Sequence, residues 1–438
     1  MSQEHPRYQR HRPEETPLYQ IITTHLESFL AFVEQEHDRK LPRYVENEFR
    51  HYVECGILAY GFSRARCAEC GHEILVAFSC KLRGICPSCN ARRMCDSAAH
   101  LVDHVLSDTR LRQWVLSVPF ELRMLLAANP KALSAVGRIF CQEISRWQKS
   151  QAFLLGHTRT RGGAICFPQR FGSSLNLNVH YHVAAPDAAF VMKNDGSDVQ
   201  LIELPSPTRE DLDVVVMNTA FRVIEWLQRK GFIRHEQHED ETPSPLLRCL
   251  QGALGIGDLH ADPSKKAKAS SDAPLFKAKK GLVGQHGNFN VHAGVSIAAG
   301  CPEQREGLLR YCARAPLSLE RLSILDDGRI AYQVKHAYRG QRAVRVMTPM
   351  QFMARLAALI PPPRHPLIRF HGVFAPNSKW RSAVVPRNTR EAVTAQCVAA
   401  LTRSNDTAAL AQSPSPPSQT TLSQTPPQVP GGNASLLN

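Results

Sequence analysis

The sequence lacks long apolar segments. No uninterrupted apolar run approaches the ~20 residues that a membrane-spanning helix needs, and the N-terminal MSQEHPRYQRHRPEETP has no apolar stretch of the kind found in secretion signals. These absences argue against a membrane protein or an exported one, so we expect a cytoplasmic protein. The sequence also has no GxxxxGK[ST] loop, the motif that cradles nucleotide phosphates, and we therefore expect no nucleotide cofactor.

Acidic residues are in deficit. The 39 Asp and Glu residues are outnumbered by 53 Lys and Arg residues, which leaves a formal net charge of +14. A balance of this kind favours a polyanionic partner, nucleic acid in the first place. With 438 residues the chain is long enough for two or three domains and for a large core, so a metal is not needed merely to hold the fold together.

The cysteines are concentrated in one part of the chain. Seven of the thirteen lie between positions 55 and 95, which in a cytoplasmic protein indicates a metal site and not disulfides. Cys67 and Cys70 form one CxxC pair, Cys86 and Cys89 form another, and fifteen residues separate the pairs. This spacing is typical of a four-cysteine zinc site. Four sulfur ligands leave no open position, so we expect the zinc to stabilise structure and not to activate water.

Other residues near the two CxxC pairs qualify this interpretation. Cys80 could replace one of the four ligands, whereas we expect Cys55 and Cys95 to be buried small apolar residues. Six basic side chains surround the cysteines: Arg64, Arg66, Lys81, Arg83, Arg92 and Arg93. Their charge favours contact with phosphate over a purely scaffolding role.

Hydrophobic periodicity predicts a mixture of helices and strands. Helical spacing is found at 18–37, 45–60, 98–106, 209–230 and 302–313. Strands are predicted at 113–118, 164–170, 175–184, 188–192 and 289–297. Turns are predicted at 172–174 and at 326–328. The fold class that follows is α+β with an antiparallel sheet.

Composition divides the chain into segments. We expect a disordered arm at 1–17, a helical zinc-binding domain at 18–110, a second domain at 111–324 and a basic C-terminal segment at 325–402. An irregular, lysine-rich insertion at about 242–282 interrupts the second domain. The tail at 403–438 is rich in Pro, Ser, Thr and Gln and should be disordered.

Two histidines stand in LNLNVHYHVAA. His180 and His182 are two residues apart on a predicted strand, so both imidazoles lie on one face and could hold a divalent cation. Such a pair is weak evidence alone, because histidine is common in this chain. His292 in FNVHAGVSI or Gln169 on the preceding strand could supply a third ligand, and His292 is equally well explained as a core histidine.

A tyrosine lies on the predicted helix GLLRYCARAPLS. Tyr311 is flanked by Arg310 and by Arg314, which shares its face at a spacing of three residues. A phenol has a pKa of about 10 and attacks phosphorus well only when cations stabilise it. Taken alone, a tyrosine on a helix is more often a packing residue.

Five motifs occur in a familiar order: ECGILAYGFSRARCAECGHE, FSCKLRGICPSCNARRM, LNLNVHYHV, NVHAGV and LLRYCARAPLS. Together they resemble the bacterial rolling-circle insertion-sequence transposases of the IS-ninety-one type, over about residues 20–386. The resemblance implies a zinc-binding domain before an HUH (His-hydrophobic-His) nuclease domain with a central antiparallel sheet and flanking helices. It also implies a DNA-binding cytoplasmic protein that associates with the nucleoid.

The resemblance implies specific roles for the matched residues. His180 and His182 correspond to the pair that holds Mg²⁺ or Mn²⁺, and Tyr311 corresponds to the nucleophile, with Arg314 beside it. Family members with two tyrosines place the second one four residues later, where this chain has Ala315, so this sequence resembles a single-tyrosine branch.

The implied function is DNA transposition. The tyrosine would nick single-stranded DNA or a hairpin at the element ends, form a 5′-phosphotyrosine and rejoin strands. The alternatives are a plasmid replication initiator or relaxase of the same chemistry, and a non-catalytic zinc-dependent DNA-binding protein.

Overall fold

The computed structural model describes residues 10–193, 198–233, 245–254, 281–334 and 343–385. The helices within these ranges are α1 (Pro17–His37), α2 (Arg43–Glu54), α3 (Pro87–His104), α4 (Phe120–Ala128), α5 (Pro130–Leu154), α6 (Arg209–Arg229), α7 (Pro245–Leu254), α8 (Pro302–Cys312), α9 (Pro349–Leu359) and α10 (Arg381–Val384). The strands are β1 (Phe62–Arg66), β2 (Glu73–Ala77), β3 (Leu111–Ser117), β4 (Thr160–Arg161), β5 (Gly163–Phe171), β6 (Leu177–Pro186), β7 (Ala188–Met192), β8 (Val199–Glu203), β9 (Val283–His286), β10 (Phe289–Ile297), β11 (Leu322–Ile324), β12 (Ile330–Gln333), β13 (Val344–Met347) and β14 (Arg369–Gly372).

The largest sheet has six strands in the order β14-β5-β6-β3-β10-β9, and every neighbouring pair is antiparallel. Strand β6 lies inside this sheet and is buried along its whole length. The hairpin β1-β2 and two three-stranded sheets, β11-β12-β13 and β4-β7-β8, lie outside it. The predicted α+β class with a central antiparallel sheet and flanking helices is confirmed.

Helices cover both faces of the six-stranded sheet. On one face, α5 packs against the sheet, and the buried Tyr181 hydroxyl donates a hydrogen bond to the Leu133 carbonyl at 2.9 Å. Gly137 permits this approach, because a Cβ there would stand 3.1 Å from the Tyr181 ring. On the other face, Leu308 and Leu309 of α8 share a hydrophobic cluster with α3. Alternation along β6 therefore directs Tyr181 towards α5 and the two histidines towards α8.

The helix predicted at 45–60 ends earlier, at Glu54. Cys55 leaves helical geometry, and Gly56 adopts φ +80°, which glycine accepts at little cost. The chain then turns into the β1-β2 hairpin, since the Gly56 amide donates to the Phe78 carbonyl at 2.8 Å. Hydrophobic spacing alone did not reveal this break.

The C-terminal segment predicted at 325–402 contributes to the central sheet. Strand β14 pairs with β5, with Arg369 opposite Cys166 and His371 opposite Ala164. A boundary at residue 325 would therefore separate one edge strand from the sheet that it completes. The tail at 403–438, most of the 1–17 arm and most of the 242–282 insertion lie outside the described residues. In the described part of the chain, no helix is both long and apolar enough to cross a membrane.

A buried ion pair joins β3 to the end of β6. The Arg112 guanidinium donates to the Asp187 carboxylate at 2.6 and 2.8 Å, to the Ala293 carbonyl at 2.8 Å and to the Ser206 hydroxyl at 2.9 Å. Burial raises the pKa of Asp187, and the hydrogen bonds from Arg112 oppose that rise. Arg112 therefore favours the ionised form of the buried Asp187 carboxyl.

Replacing Arg112 with methionine should lower the free energy of unfolding by about 3–5 kcal/mol, because it strands a buried carboxylate. Urea denaturation followed by circular dichroism measures this loss. Arg110→Met is the matched control, since Arg110 is exposed and makes one 3.4 Å hydrogen bond to Ser206. Equal losses in the two variants would contradict the assignment.

Candidate functional site

The two histidines of β6 form the centre of a cleft. Nε2 of His180 and Nε2 of His182 lie 3.1 Å apart, and both residues are buried. Alternation along the strand brings them to one face, as the sequence predicts. Two ring nitrogens this close to each other could both bind one cation.

The hydrogen bonding of His180 suits a metal ligand. Its Nδ1 lies 2.9 Å from the Asn178 carbonyl oxygen, which can only accept a hydrogen bond. Nδ1 therefore carries the proton, and the lone pair of the ring is on Nε2, the atom that faces Nε2 of His182. Metal-binding histidines commonly donate their second ring N–H to a backbone carbonyl in this way.

His182 has a side-chain amide behind it. Its Nδ1 lies 3.0 Å from the Gln113 amide nitrogen, and the Gln113 oxygen has no hydrogen-bond partner among the described residues. If the oxygen and nitrogen of the Gln113 amide exchange places, the oxygen accepts a hydrogen bond from Nδ1–H of His182. Nε2 of His182 is then unprotonated. Burial, His180 and Arg314 lower the pKa of His182, so the ring is neutral and can act as a ligand.

Tyr311 stands beside this pair, on the last turn of α8. Its ring lies edge-on to the His182 ring, with centroids 5.4 Å apart. The next residue, Cys312, fixes the end of the helix to the sheet. Its carbonyl accepts a 2.7 Å hydrogen bond from the Gln169 amide, and its thiol lies 3.2 Å from the Gln113 amide. The sheet thus holds the tyrosine in place next to the histidines.

Only one of the two arginines expected near Tyr311 faces it. The Arg314 guanidinium lies 4.9 Å from the centre of the Tyr311 ring and 5.5 Å from that of Phe171. Arg314 follows the end of α8, and the chain curls back to bring it there. Arg310, in contrast, pairs with Glu306 along the helix.

The two candidate third ligands lie at different distances from the pair. Gln169 is 4 % exposed and sits directly opposite His180 on the neighbouring strand, and its side-chain oxygen has no hydrogen-bond partner among the described residues. His292 lies on β10, and β3 separates it from the histidine strand. Two strand spacings amount to roughly 10 Å. His292 is half-buried, and its Nδ1 also lacks a partner in the described part of the chain.

The histidines and the tyrosine line a cavity of about 370 Å³. Its other polar lining residues are Ser117, Glu121, Arg123, Asn178, Asn288, Asn290 and Arg314. Sequence patterns did not single out Glu121, which lies in the first turn of α4 after the predicted strand 113–118. The Ser-Val-Pro break between that strand and the helix was the available signal. The cavity can hold a phosphate group with polar neighbours on several sides.

A second cluster consists of four cysteine thiols. Cys55, Cys80, Cys86 and Cys89 have sulfur atoms that all lie within 4.8 Å of one another. The distance between the two sulfur atoms is 3.6 Å for Cys55 and Cys86, 3.7 Å for Cys55 and Cys89, and 3.5 Å for Cys80 and Cys89. Cys86 precedes α3 and Cys89 lies in its first turn.

The cluster differs from the set that the CxxC spacing predicts. Cys86 and Cys89 take part, Cys80 joins as the substitute considered above, and Cys55 occupies the fourth place in contrast to its expected apolar role. Cys67 and Cys70 are exposed in the turn that joins β1 to β2. The hairpin carries them outward, whereas its base brings residue 55 next to residue 80.

These four thiols fit a zinc ion. Zn–S bonds of about 2.3 Å in a tetrahedron place the sulfurs about 3.8 Å apart, close to the distances seen here. The Cys80 amide also donates to the Cys55 sulfur at 3.2 Å. Interactions with the other thiols raise the pKa of Cys86 and lower that of Cys89, because closely spaced thiols exchange hydrogen bonds. A divalent cation bound to the four sulfurs would stabilise their thiolate forms.

Some of the basic residues around the cysteines serve the fold. Arg83 donates to the carbonyls of His365 and Pro362 at 2.6 and 2.9 Å, and Arg93 donates to the carbonyls of Lys81 and Leu82. These hydrogen bonds attach the zinc module, which is our name for residues 18–110, to the loop that follows α9. Arg64, Arg66 and Arg92 are exposed, and Arg64 and Arg66 each form a long ion pair with Glu73 at 3.8 Å.

Comparison with known families yields two matches. A family model described as "Putative transposase" matches residues 163–381, half of the chain and the part that contains His180, His182 and Tyr311. A second model, described as "Transposase zinc-binding domain", matches residues 21–118, which include the cysteine cluster. No curated protein and no solved structure matches the chain significantly.

Proposed function

This chain belongs to the transposase family whose model spans residues 163–381, and we propose that it cuts and joins single-stranded DNA with Tyr311 as the nucleophile. The observation that carries the proposal is the convergence of the Tyr311 ring and the buried histidine pair on one polar cavity. Transposition requires a protein that binds DNA, and the formal net charge of +14 agrees with that.

In this mechanism the Tyr311 oxygen attacks the scissile phosphorus in line. The phenol proton passes to water, the new P–O bond to the tyrosine forms as the bond to the 3′ oxygen breaks, and that oxygen takes a proton from water. The products are a 5′-phosphotyrosine and a free 3′-hydroxyl. The covalent bond preserves the energy of the phosphodiester, so joining to a new strand needs no nucleotide cofactor.

Arg314 supports the attack. Its guanidinium lies over the Tyr311 ring, where its charge stabilises the negative charge that develops on the reacting oxygens during the attack. Gln169 and Gln113, which hold the end of α8, keep the phenol directed at the cavity.

His180 and His182 would hold a divalent cation, Mg²⁺ or Mn²⁺, which polarises the phosphate when it is bound. We propose Gln169 as the third ligand, since it lies opposite His180 and its oxygen has no other partner among the described residues. His292 is the weaker candidate because a strand intervenes. Glu121 and the asparagines of the cavity would position water or substrate.

We further propose that residues 18–110 recognise the element end, as a hairpin or a short sequence. The match to a transposase zinc-binding domain and the exposed arginines of the β1-β2 hairpin support this division of labour. The cysteine cluster would hold one structural Zn²⁺. A single tyrosine, with Ala315 four residues later, would complete both strand transfers in succession.

The direct test is incubation of the purified protein with a labelled single-stranded oligonucleotide that carries an element end. We expect a covalent protein–DNA adduct, stable to denaturation, that appears with Mg²⁺ or Mn²⁺ and is absent with EDTA. His180→Ala and His182→Ala should remove it as EDTA does. Full adduct formation in EDTA would contradict the metal-assisted mechanism.

Arg314→Met should slow single-turnover adduct formation by about 100-fold. The substitution removes the positive charge that lies beside the reacting phosphate and keeps much of the side-chain volume. Rapid-quench measurements give this rate. Arg310→Met is the matched control, because Arg310 pairs with Glu306 and does not face the ring. Equal effects in both variants would show that only net charge matters.

A further inference from the structure

A second basic pocket lies on the α5 side of the six-stranded sheet. It has a volume of about 420 Å³ and is lined by the start of α5, by Trp226 of α6, and by the edge strand β14 with the loop before it. Its charged lining residues are Lys131, Arg138, His365, Arg369 and His371. It shares no lining residue with the cavity that contains His180.

The cations of this pocket lack anionic partners. None of its lining residues is acidic, and in the described ranges no ion pair involves Lys131, Arg138 or Arg369. The Arg369 guanidinium is held in place, since it donates to the Ser134 hydroxyl at 2.8 Å. Three positive charges at one concave site favour an anionic ligand.

His365 presents a buried donor to the same pocket. The residue is 6 % exposed, and its Nδ1 lies 3.4 Å from the Arg369 guanidinium, which can only donate. Nδ1 is therefore the acceptor, and Nε2 of the neutral ring carries the proton. Nε2 has no hydrogen-bond partner among the described residues. An unsatisfied buried donor costs free energy, so it indicates a ligand that accepts a hydrogen bond.

The electrostatics agree with an anion site. Burial together with Arg369, Arg170 and Arg83 lowers the pKa of His365 to about 4, and burial together with Arg369 and Arg138 lowers that of His371 to about 4. Both rings are thus neutral at pH 7 and lie in a positive field. The first turn of α5, with Lys131 and Ser134, adds the positive end of a 25-residue helix.

The pocket is larger than one phosphate needs and has an aromatic wall. A volume of about 420 Å³ lies within the range of nucleotide-sized ligand pockets. Trp226, which stacks on Phe232 at 5.7 Å, is a ring on which a base could lie. Lys131 and Arg138 are exposed at the rim, where a strand can reach them.

We propose that this pocket binds a backbone phosphate and the adjoining nucleotide of DNA at a point remote from the cleaved bond. The proposal rests on the proposed action on DNA, and it adds a contact that does not depend on Tyr311. A DNA strand bound in this pocket passes the edge of the sheet that β14 forms. The zinc module preorganises the pocket, because Arg83 bonds the His365 carbonyl.

Fluorescence anisotropy of a labelled single-stranded oligonucleotide, titrated at several salt concentrations in EDTA, measures this contact without cleavage. We expect Lys131→Gln with Arg138→Gln to weaken binding and to reduce the slope of log affinity against log salt by about 0.7, from one lost phosphate contact. Lys149→Gln is the matched control, an exposed lysine on the same helix outside the pocket. A slope for the double variant equal to that of the control overturns the proposal.

Two further experiments distinguish DNA binding in this pocket from the binding of a free anion and from a failure of the tyrosine mechanism. Inorganic phosphate, exchanged for chloride at constant ionic strength, should not compete with DNA, and competition at low millimolar concentration would assign the pocket to a free anion instead. With a short oligonucleotide that spans only the cleavage site, the double variant should form the covalent adduct as fast as the unmodified protein. Absence of the adduct from the unmodified protein would contradict the tyrosine mechanism and leave the binding result intact.

Discussion

Tyr311→Phe should reduce covalent adduct formation by at least about 1000-fold, because it removes the attacking oxygen and leaves the ring in place. The ring packs edge-on against His182 and under Arg314, so phenylalanine keeps both contacts and the fold. Gel analysis of the labelled oligonucleotide under denaturing conditions measures the loss. DNA binding in EDTA should be nearly unchanged.

Tyr332→Phe is the matched control. Tyr332 is 1 % exposed, and its hydroxyl accepts a hydrogen bond from the Ser318 amide, so it cannot reach a DNA strand. This variant should form the adduct at the normal rate. An adduct that persists in Tyr311→Phe would contradict the choice of nucleophile and would direct attention to Tyr338, which lies outside the described residues.

Cys55→Ser should reduce bound zinc from about one ion per chain to nearly none and lower the melting temperature. Cys55 shares the four-thiol cluster, and a serine oxygen is a poor substitute for a thiolate in such a site. Elemental analysis of the dialysed protein and a thermal melt measure the two effects. Cys86→Ser should behave in the same way.

Cys70→Ser is the informative control for the zinc site. Cys70 belongs to a CxxC pair but is exposed in the hairpin turn, so its removal should leave the zinc content and the melting temperature unchanged. Loss of zinc from Cys70→Ser together with retention in Cys55→Ser would favour the set that sequence spacing predicts.

Several elements of the fold followed from regular patterns in the local sequence. Strand β10 occupies 289–297, as its alternation predicts, and α8 begins at Pro302, which suits the first turn of a helix. The two histidines of β6 share a face for the same reason. A period of two residues is visible in any one segment, and no long-range information is needed.

The features that the sequence did not predict depend on contacts between segments that are far apart in the chain. Cys55 becomes part of the cluster because the base of a hairpin brings it to Cys80, and the spacing of CxxC pairs does not reveal that. The order β6-β3-β10 separates His292 from the pair, although all three histidines lie on predicted strands. The pairing of β14 with β5 likewise created the second basic pocket from segments more than 200 residues apart.

The central claim is that Tyr311 attacks the phosphate held beside His180 and His182, and mass spectrometry of the protease-digested adduct tests it most directly. The account predicts one nucleotide-bearing peptide, with the 5′ phosphate on the Tyr311 oxygen, formed only when Mg²⁺ or Mn²⁺ is present. A modified peptide that contains any other residue as the attachment point, or an adduct formed equally well without metal, would contradict it.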